Sequence, residues 1–258
     1  MNYLKYLFYG IVQGFTEFLP ISSSAHLKVL SEFFGLQDPG SSLSAIVQIA
    51  SVLALLIYFR KDIRTINGIA LVNNYFYNNK LFISILIGSS SIIFLGGFVK
   101  FIIPQFYESY LRSNILIGII SIFTSLLMYL SQITKSKDIS LENHGFLNSF
   151  LIGLAQSFAI IPGVSRSGIT ITMALLLGWK RVDAAKFSFL LGIPAISLAA
   201  LVEIFSSIKG NLFISYGPLF NIVPEKQESA ITNICFALKV LNSAFISSSE
   251  IHLLFLSL

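Results

Sequence analysis

Charged side chains are scarce in this sequence. Of its 258 residues only 11% are Asp, Glu, Lys or Arg, whereas 55% are hydrophobic, and the mean hydropathy is +0.80. Soluble domains usually carry about a quarter charged residues. A soluble chain of this composition would expose apolar surface almost everywhere. The composition therefore excludes an ordinary soluble domain and indicates a protein that has the lipid bilayer as its solvent.

Cysteine is almost absent as well. The single Cys235 excludes an internal disulfide and a cluster of thiolate ligands for a metal. The net charge of +5 is small and dispersed, so it does not form the basic surface that nucleic-acid binding needs. We expect no nucleic-acid partner, and we expect the surplus of basic residues to report membrane orientation instead.

Long apolar runs are what the sequence has in quantity. They cover roughly 3–19, 43–59, 81–103, 113–133, 146–161, 169–179 and 187–208. Two of them, 146–161 and 169–179, are short for a membrane crossing, and both adjoin the polar stretch 162–168. The first run likewise stops at Pro20, before a serine cluster. Interrupted apolar segments in corresponding places of two halves are typical of broken helices around a site inside the membrane.

The two halves also share letters. The stretch from Gly10 to Phe15 is echoed from Gly153 to Phe158, and in both a proline and a Ser-rich turn follow. Chance similarity between apolar segments is the plainer explanation, but a true repeat is favoured because both copies end in the same unusual turn. We expect one membrane domain, 1–258, with repeat 1 at about 1–103 and repeat 2 at about 113–215. The segment 216–258 is atypical, with a weak helix at 234–247.

Lysine and arginine counts predict an orientation. If the apolar segments simply alternate, the loop 60–80, the loop 134–145 and the turn 180–186 lie on one side and carry nine basic residues. The opposite side receives four, among them Arg166. The loop 60–80 should therefore be cytoplasmic, and both polar motifs should open toward the outer face.

The first motif has the polar members Gln13, Glu17, Ser22, Ser23 and His26. Gln13 and Glu17 are four residues apart and share a helix face. An ionisable residue in an apolar segment costs roughly 2.5–3.5 kcal/mol on insertion scales, which makes Glu17 a functional candidate, although chance placement at the interface is the plainer alternative. His26 can act as an acid, a base or a nucleophile near neutral pH, or can simply donate hydrogen bonds.

The second motif, 162–170, has the polar residues Ser165, Arg166, Ser167 and Thr170, and Gly168 lets the backbone approach a ligand closely. A helix that begins at Ser167 or Gly168 would direct backbone N–H groups at an anion. Arg166 adds a bidentate fork suited to phosphate. The alternative is an arginine in an ordinary cytoplasmic loop, which the predicted topology opposes. Together the motifs predict phosphoryl transfer: Arg166 holds the phosphates, a serine or His26 attacks or activates water, and Glu17 orients the base or binds a divalent cation.

The two motifs, in this order and in this membrane setting, resemble those of the undecaprenyl-diphosphatase family, also called bacitracin-resistance proteins. The resemblance covers about residues 1–215, with further likeness at Gln48 and over 187–194. It implies an all-α, polytopic membrane helix bundle with an inverted repeat and two re-entrant helix hairpins. It also implies an inner-membrane enzyme with an outward-facing site, which hydrolyses undecaprenyl diphosphate to undecaprenyl phosphate and inorganic phosphate. This reaction would recycle the lipid carrier for peptidoglycan synthesis and confer bacitracin resistance.

The site that follows from the motifs and the resemblance has two parts. The predicted catalytic residues are Glu17, Ser23, His26 and Arg166. The predicted substrate-binding residues are Gln13, Ser22, Ser165, Ser167, Gly168 and Thr170. The resemblance implies a divalent cation, Mg or Ca, with Glu17 as its candidate ligand. The expected partners are the polyprenyl diphosphate substrate, membrane lipids and a second copy of the chain in a homodimer; the nucleophile, Ser23 or His26, stays open.

Two features depart from the family pattern. Gln13 stands where the family often has a glutamate and cannot serve as an anionic ligand, and the segment 224–258 does not continue with clear apolar helices. A frameshifted or truncated end would explain that segment and would make an inactive remnant one alternative. A polyprenyl-phosphate transporter or flippase is the other. His26 and the serines favour hydrolysis, because a carrier needs charge but no nucleophile.

Overall fold

The fold is all-α, as the sequence predicts. A computed structural model of the protein describes residues 2–33, 40–66, 75–102, 113–134 and 138–215. Within these ranges the chain forms α-helices, one 3₁₀ turn and one isolated bridge. The helices are α1 (Asn2–Phe18), α2 (Ser23–Phe33), α3 (Gly40–Tyr58), α4 (Arg60–Ile66), α5 (Tyr75–Ile102), α6 (Asn114–Ile133), α7 (Phe146–Ser157), α8 (Arg166–Leu176) and α9 (Arg181–Ser215), and the 3₁₀ turn Phe158–Ile160 follows α7. The predicted helix at 234–247 lies outside the described residues.

Three of these helices are long and apolar enough to cross a membrane. The spans are Lys80–Val99 in α5, Ile115–Ile133 in α6 and Arg181–Phe205 in α9. Their outer faces carry large exposed apolar side chains such as Phe94 and Ile122, which only a lipid environment solvates favourably. The protein is therefore a membrane protein.

The helices break at the two polar motifs. The first break separates α1 from α2 and contains Pro20, which cannot donate a helical hydrogen bond. The second break separates the 3₁₀ turn after α7 from α8 and contains Gly163, whose φ of 100° lies in the left-handed region. A side chain on Gly163 would also meet the carbonyl oxygen of Ile117 on α6, at 2.7 Å from the added Cβ. The local sequence thus dictates both interruptions.

The two breaks follow the same pattern along the chain. Gln13 precedes the first residue of α2, Ser23, by the same distance as Gln156 precedes the first residue of α8, Arg166. Both helices that follow are 11 residues long. The local structure at the two breaks is therefore similar; the repeat itself stays a prediction.

Three boundaries differ from the predictions. The segment 60–80 is not simply a loop, because α4 occupies its start and α5 begins before its end. The turn 180–186 is helical from Arg181 onward, so α9 reaches 35 residues and includes Pro194. Helix α8 begins one residue earlier than expected, at Arg166, because Ser165 is its N-cap. Such caps override composition at helix ends.

The core lies between helices from the first and the second half of the chain. Helices α3 and α9, which follow α2 and α8 in the chain, pack extensively on each other, and α5 packs on α7. The buried cluster includes Leu55, Ile152, Trp179, Phe187 and Leu191. Burial of such side chains contributes roughly 1.5–3 kcal/mol each when the reference is full exposure to water. The packed core holds the two breaks in a fixed relation.

Candidate active site

The two polar motifs meet in space, although they are far apart in the sequence. The Ser167 hydroxyl at the start of α8 donates a hydrogen bond to the carbonyl oxygen of Leu19 in the first break, at 3.0 Å. A Cβ on Gly168 would lie 3.3 Å from the carbonyl oxygen of Pro20, which leaves little room for a side chain. The first turn of α8 therefore packs directly against the break between α1 and α2.

An ion pair spans this junction. Nη2 of Arg166 lies 3.2 Å from Oε1 of Glu17, and the two side chains are only 10% and 11% exposed. A buried ion pair must recover the cost of removing two charges from water, and removing one partner alone is strongly unfavourable. The sequence motifs thus deliver a guanidinium and a carboxylate to one point between apolar helices.

The second oxygen of Glu17 is also occupied. Oε2 accepts a hydrogen bond from the Ser23 hydroxyl at 2.9 Å and another from Nε2 of Gln13 at 3.0 Å. Because Gln13 is neutral, it can donate to Glu17 where a second carboxylate would repel it. Glu17 is thereby the hub that joins a serine, an amide and an arginine.

Two helix N-termini open at the same place. The hydroxyl oxygen of Ser22 accepts from the backbone N–H of Ala25 at the start of α2, at 3.4 Å. In the same way, the hydroxyl oxygen of Ser165 accepts from the N–H of Gly168 at the start of α8, at 3.1 Å. The N-terminus of a helix carries a partial positive charge and free N–H groups, so each one favours an anion.

The Arg166 side chain is held from α9. Its Nη1 donates to the carbonyl oxygen of Ser188, at 3.4 Å. The Thr170 hydroxyl contacts the Ser188 hydroxyl and donates to the carbonyl oxygen of Arg166 at 2.8 Å. Nε of Arg166 is buried and has no hydrogen-bond partner within the described ranges. Nε is therefore an unsatisfied donor of the guanidinium inside the site.

His26 lies at the edge of this group. Its Nδ1 is 2.7 Å from the carbonyl oxygen of Ser22, an acceptor, so Nδ1 carries the proton and donates. The side chain is exposed, and Nε2 has no protein partner in the part of the chain that the structure describes. His26 forms no hydrogen bond with Glu17 or Arg166 there; it stands one helical turn beyond Ser22 and Ser23.

The structure joins part of the predicted site directly and leaves His26 at its edge, where, among the described residues, it bonds only to the backbone of Ser22. Gln13, Glu17, Ser23 and Arg166 form one connected network. Ser22 and Ser165 cap helices, while Thr170 is fully buried and braces the first turn of α8. The sequence reasoning noted the family likeness over 187–194 but assigned no role to Ser188 and Gly192 within it, against which Arg166 lies.

The chain is similar to known proteins over nearly its whole length. The family model of the bacitracin resistance protein BacA matches residues 6–256, a longer stretch than the 1–215 over which the motifs resemble that family. An undecaprenyl-diphosphatase of Prochlorococcus marinus strain MIT 9515 is 53% identical over 245 residues, which is 94% of this chain and 92% of that protein. One from Trichormus variabilis is 46% identical over 209 residues, 79% of this chain and 65% of that protein. The chain therefore belongs to the bacitracin resistance protein BacA family.

Proposed function

We propose that this chain is a membrane phosphatase that hydrolyses undecaprenyl diphosphate to undecaprenyl phosphate and inorganic phosphate. The reaction returns the lipid carrier to peptidoglycan synthesis and confers resistance to bacitracin. The family and the names of the relatives support the activity. The observation that carries the assignment to a site is the Glu17–Arg166 pair at the junction of two helix N-termini.

Arg166 and the two helix N-termini bind the diphosphate in this proposal. The Nη2 bonded to Glu17 can be shared with a phosphate oxygen, and a shift of the side chain would let the unpartnered Nε donate to the substrate as well. Backbone N–H groups at the start of α8 and the hydroxyls of Ser165 and Ser167 line the same turn. Fixed donors of this kind stabilise the negative charge of the transferring phosphoryl group without reorganisation during the reaction.

Ser23 is the nucleophile that the geometry favours. Its hydroxyl already donates to Oε2 of Glu17, which is the arrangement needed to pass the proton to the carboxylate during attack. The Ser23 oxygen would bond to the terminal phosphorus, and undecaprenyl phosphate would leave. Water would then cleave the phosphoserine and release phosphate. When the diphosphate takes up Arg166, Glu17 loses a competing positive partner and becomes the better proton acceptor.

His26 supplies the second proton transfer in this scheme. In the imidazolium form, which also carries a proton on Nε2, His26 can protonate the leaving phosphate oxygen; the neutral Nε2 that results can then take a proton from the attacking water. Because His26 stands one turn beyond Ser23, it can reach a bound diphosphate without contacting Glu17. The alternative, in which His26 activates a water that attacks directly, requires no phosphoserine.

The site fits a divalent cation only if the substrate contributes ligands. The described residues contain no group of three or more His, Cys, Asp or Glu side chains suited to hold a metal ion. Glu17 is the single carboxylate of the network, and Gln13 can add an amide oxygen. Magnesium is often bound by one or two carboxylates together with substrate phosphates. Such an ion would neutralise charge on the phosphates, while Glu17 would hold it.

The architecture that we propose is an inverted repeat with two re-entrant hairpins, in the inner membrane, with the site facing outward. Helices of 11 residues such as α2 and α8 are about half as long as a crossing requires. The contact of α3 with α9, equivalent helices of the two halves, suits a two-fold axis between the repeats. The excess of basic residues supports a cytoplasmic position for 134–145 and 180–186, and the outward-facing site further requires that the breaks at the tips of the two hairpins open toward the outer leaflet. The homodimer stays a prediction, to be tested by the mass of the purified protein in detergent.

A phosphate-release assay tests the function. The full chain, purified in detergent, should release inorganic phosphate from undecaprenyl diphosphate, and a chelator should reduce the rate if a cation takes part. His26→Ala should abolish turnover while lipid binding persists, and Ser23→Ala should abolish labelling of the protein by a substrate labelled at the terminal phosphate. Binding and transport of the lipid without release of phosphate would show a carrier. Turnover by Ser23→Ala would exclude the phosphoserine route.

A further inference from the structure

The guanidinium of Arg166 lies directly against a glycine of α9. A Cβ built on Gly192 would overlap Nη1 and would lie 2.6 Å from Cζ and 3.1 Å from Nη2. All the atoms that it would approach most closely belong to this one side chain. Only hydrogen at residue 192 leaves room for Arg166 in its present position.

The same face of α9 also anchors the guanidinium. Ser188 stands one turn before Gly192, and its carbonyl oxygen accepts a hydrogen bond from Nη1 of Arg166. The Ser188 hydroxyl contacts Thr170, which itself binds the backbone of Arg166. Two residues of α9 therefore determine how far the charged group projects toward Glu17.

A glycine is unfavourable here on local grounds. Gly192 is inside a 35-residue helix, where alanine is the better helix former. Pro194 two residues later already bends or weakens the helix, so one explanation of Gly192 is local flexibility. That explanation does not require Gly192 to face Arg166, whereas a spatial requirement does.

We propose that Gly192, together with Ser188, is a positioning site that sets the reach of the Arg166 guanidinium toward the substrate phosphates. The inference rests on the proposed phosphate-binding role of Arg166. A methyl group at residue 192 would push the guanidinium off the α9 surface, stretch its bonds to Ser188 and Glu17, and misplace its charge. Displacements of about 1 Å in a catalytic group can lower rates on the order of a hundredfold.

The first experiment compares two glycine substitutions. Gly192→Ala should lower kcat/KM for undecaprenyl diphosphate roughly tenfold to a hundredfold, with kcat affected at least as much as KM. Gly118→Ala on α6 is the matched control, because an added Cβ there meets nothing within 4 Å. The control should leave both constants unchanged. Unchanged kinetics in Gly192→Ala would overturn the inference.

A double-mutant cycle then tests whether Gly192→Ala changes activity and Tm by displacing the Arg166 guanidinium. Arg166→Lys replaces the planar fork by a slimmer, flexible ammonium that can avoid a methyl group. Gly192→Ala should therefore lower Tm when Arg166 is present, and should leave Tm unchanged or raise it in the Arg166→Lys background. The kinetic effects of the two substitutions should likewise be less than multiplicative. Equal losses in both backgrounds would mean that Gly192 acts by flexibility, which overturns the inference.

The cycle also separates this inference from the proposed function. If Arg166→Lys and Arg166→Ala both keep full kcat/KM, the phosphate-binding role fails and positioning for catalysis fails with it, even where the Tm values are coupled. If these variants lose activity but Gly192→Ala does not, the proposed function stands and the positioning role alone is refuted. Strong coupling in both Tm and kcat/KM supports the inference.

Discussion

Glu17 is the residue on which the site depends most. It holds Arg166 through one oxygen and receives Ser23 and Gln13 through the other. Glu17→Gln keeps the shape but leaves the buried guanidinium without its counter-ion and removes the proton acceptor for Ser23. We expect kcat to fall about a hundredfold or more, as measured by phosphate release. Retention of more than a tenth of wild-type kcat would show that another group accepts the proton.

A substitution at Gln13 gives the converse test, because it adds a negative charge beside Glu17 instead of removing one. Gln13→Glu places a second carboxylate next to Glu17, where the amide now donates at 3.0 Å. Two carboxylates repel unless a cation lies between them, and paired carboxylates bind Mg²⁺ or Ca²⁺ more tightly than one. The variant should therefore reach half-maximal activity at a severalfold lower free Mg²⁺ than the wild type, and complete removal of the ion should inhibit it more strongly, because its two carboxylates then repel each other. The comparison uses phosphate release at graded free Mg²⁺. Equal inhibition of both proteins would show that residue 13 is remote from any bound ion.

The sequence predicts those residues of the candidate site that lie in the two polar motifs. Glu17 and Arg166 are conspicuous because an ionisable residue in an apolar segment is expensive. Ser188 and Gly192 belong to an ordinary apolar helix, and their importance comes from a contact with Arg166 that only the packing of α8 on α9 creates. No local rule predicts such a contact. Ser22 and Ser165 are intermediate. Serine is a favourable N-cap residue, so a cap could be expected near them, but the sequence does not show at which residue the helix begins.

At the scale of elements, one crossing point depends on two glycines. Gly88 of α5 and Gly153 of α7 touch through their backbones, and a Cβ on Gly153 would lie 2.5 Å from the carbonyl carbon of Gly88. Close backbone approach through small residues is typical of helix pairs in membranes. Gly153→Ala should force the helices apart and lower stability by about 1–3 kcal/mol, as for other overpacked positions, measured by thermal unfolding in detergent.

The sequence repeat supplies the control for this crossing. Gly10 occupies in α1 the position that Gly153 occupies in α7, but an added Cβ there meets nothing within 4 Å. Gly10→Ala should therefore leave Tm unchanged or raise it slightly, because alanine favours a helix. Equal destabilisation by both substitutions would refute the packing argument.

The same comparison shows what a repeat can and cannot predict about elements. The likeness of the two motifs predicts that a helix breaks at each, since a break depends on nearby residues. It does not predict that α5 packs closely on α7, because that contact depends on which helix lies beside α5 in the folded chain. The start of α9 at Arg181 was missed for a related reason: Lys186 forms an ion pair with Asp62 of α4 that supports the first turns.

At the scale of the whole molecule, the segment 138–145 fastens three distant parts of the chain. Ile139 pairs with the turn between α8 and α9, where its carbonyl oxygen accepts from the N–H of Lys180. His144 is buried, its Nδ1 donates to the carbonyl oxygen of Leu141, and its Nε2 accepts from the Ser84 hydroxyl of α5. The ring also packs on Trp179 and Phe187, with centroids 4.9 and 5.9 Å away. These contacts favour the neutral imidazole. The segment 138–145 and the residues that it contacts form a junction in which His144 is buried.

This junction predicts how stability depends on pH. Burial, and next the positive charge of Lys80, lower the pKa of His144 from its ordinary value of 6.5, while hydrogen bonding to backbone carbonyls opposes the shift. The unfolded chain then binds a proton before the folded one does, so stability is lost as pH falls from about 6.5 toward the lower pKa of the folded state.

Wild-type Tm in detergent should drop between pH 7.5 and 5.5 by more than that of His144→Gln, whose amide does not titrate. His26 and the Asp62–Lys186 pair are present in both proteins, so their contributions cancel in the difference. His144→Gln should be the less stable protein at pH 7.5, because the packing on Trp179 is reduced, and the gap should narrow at pH 5.5. A gap that stays constant over this range would mean that His144 takes up its proton equally in the folded and unfolded chains, and that the junction does not constrain its charge.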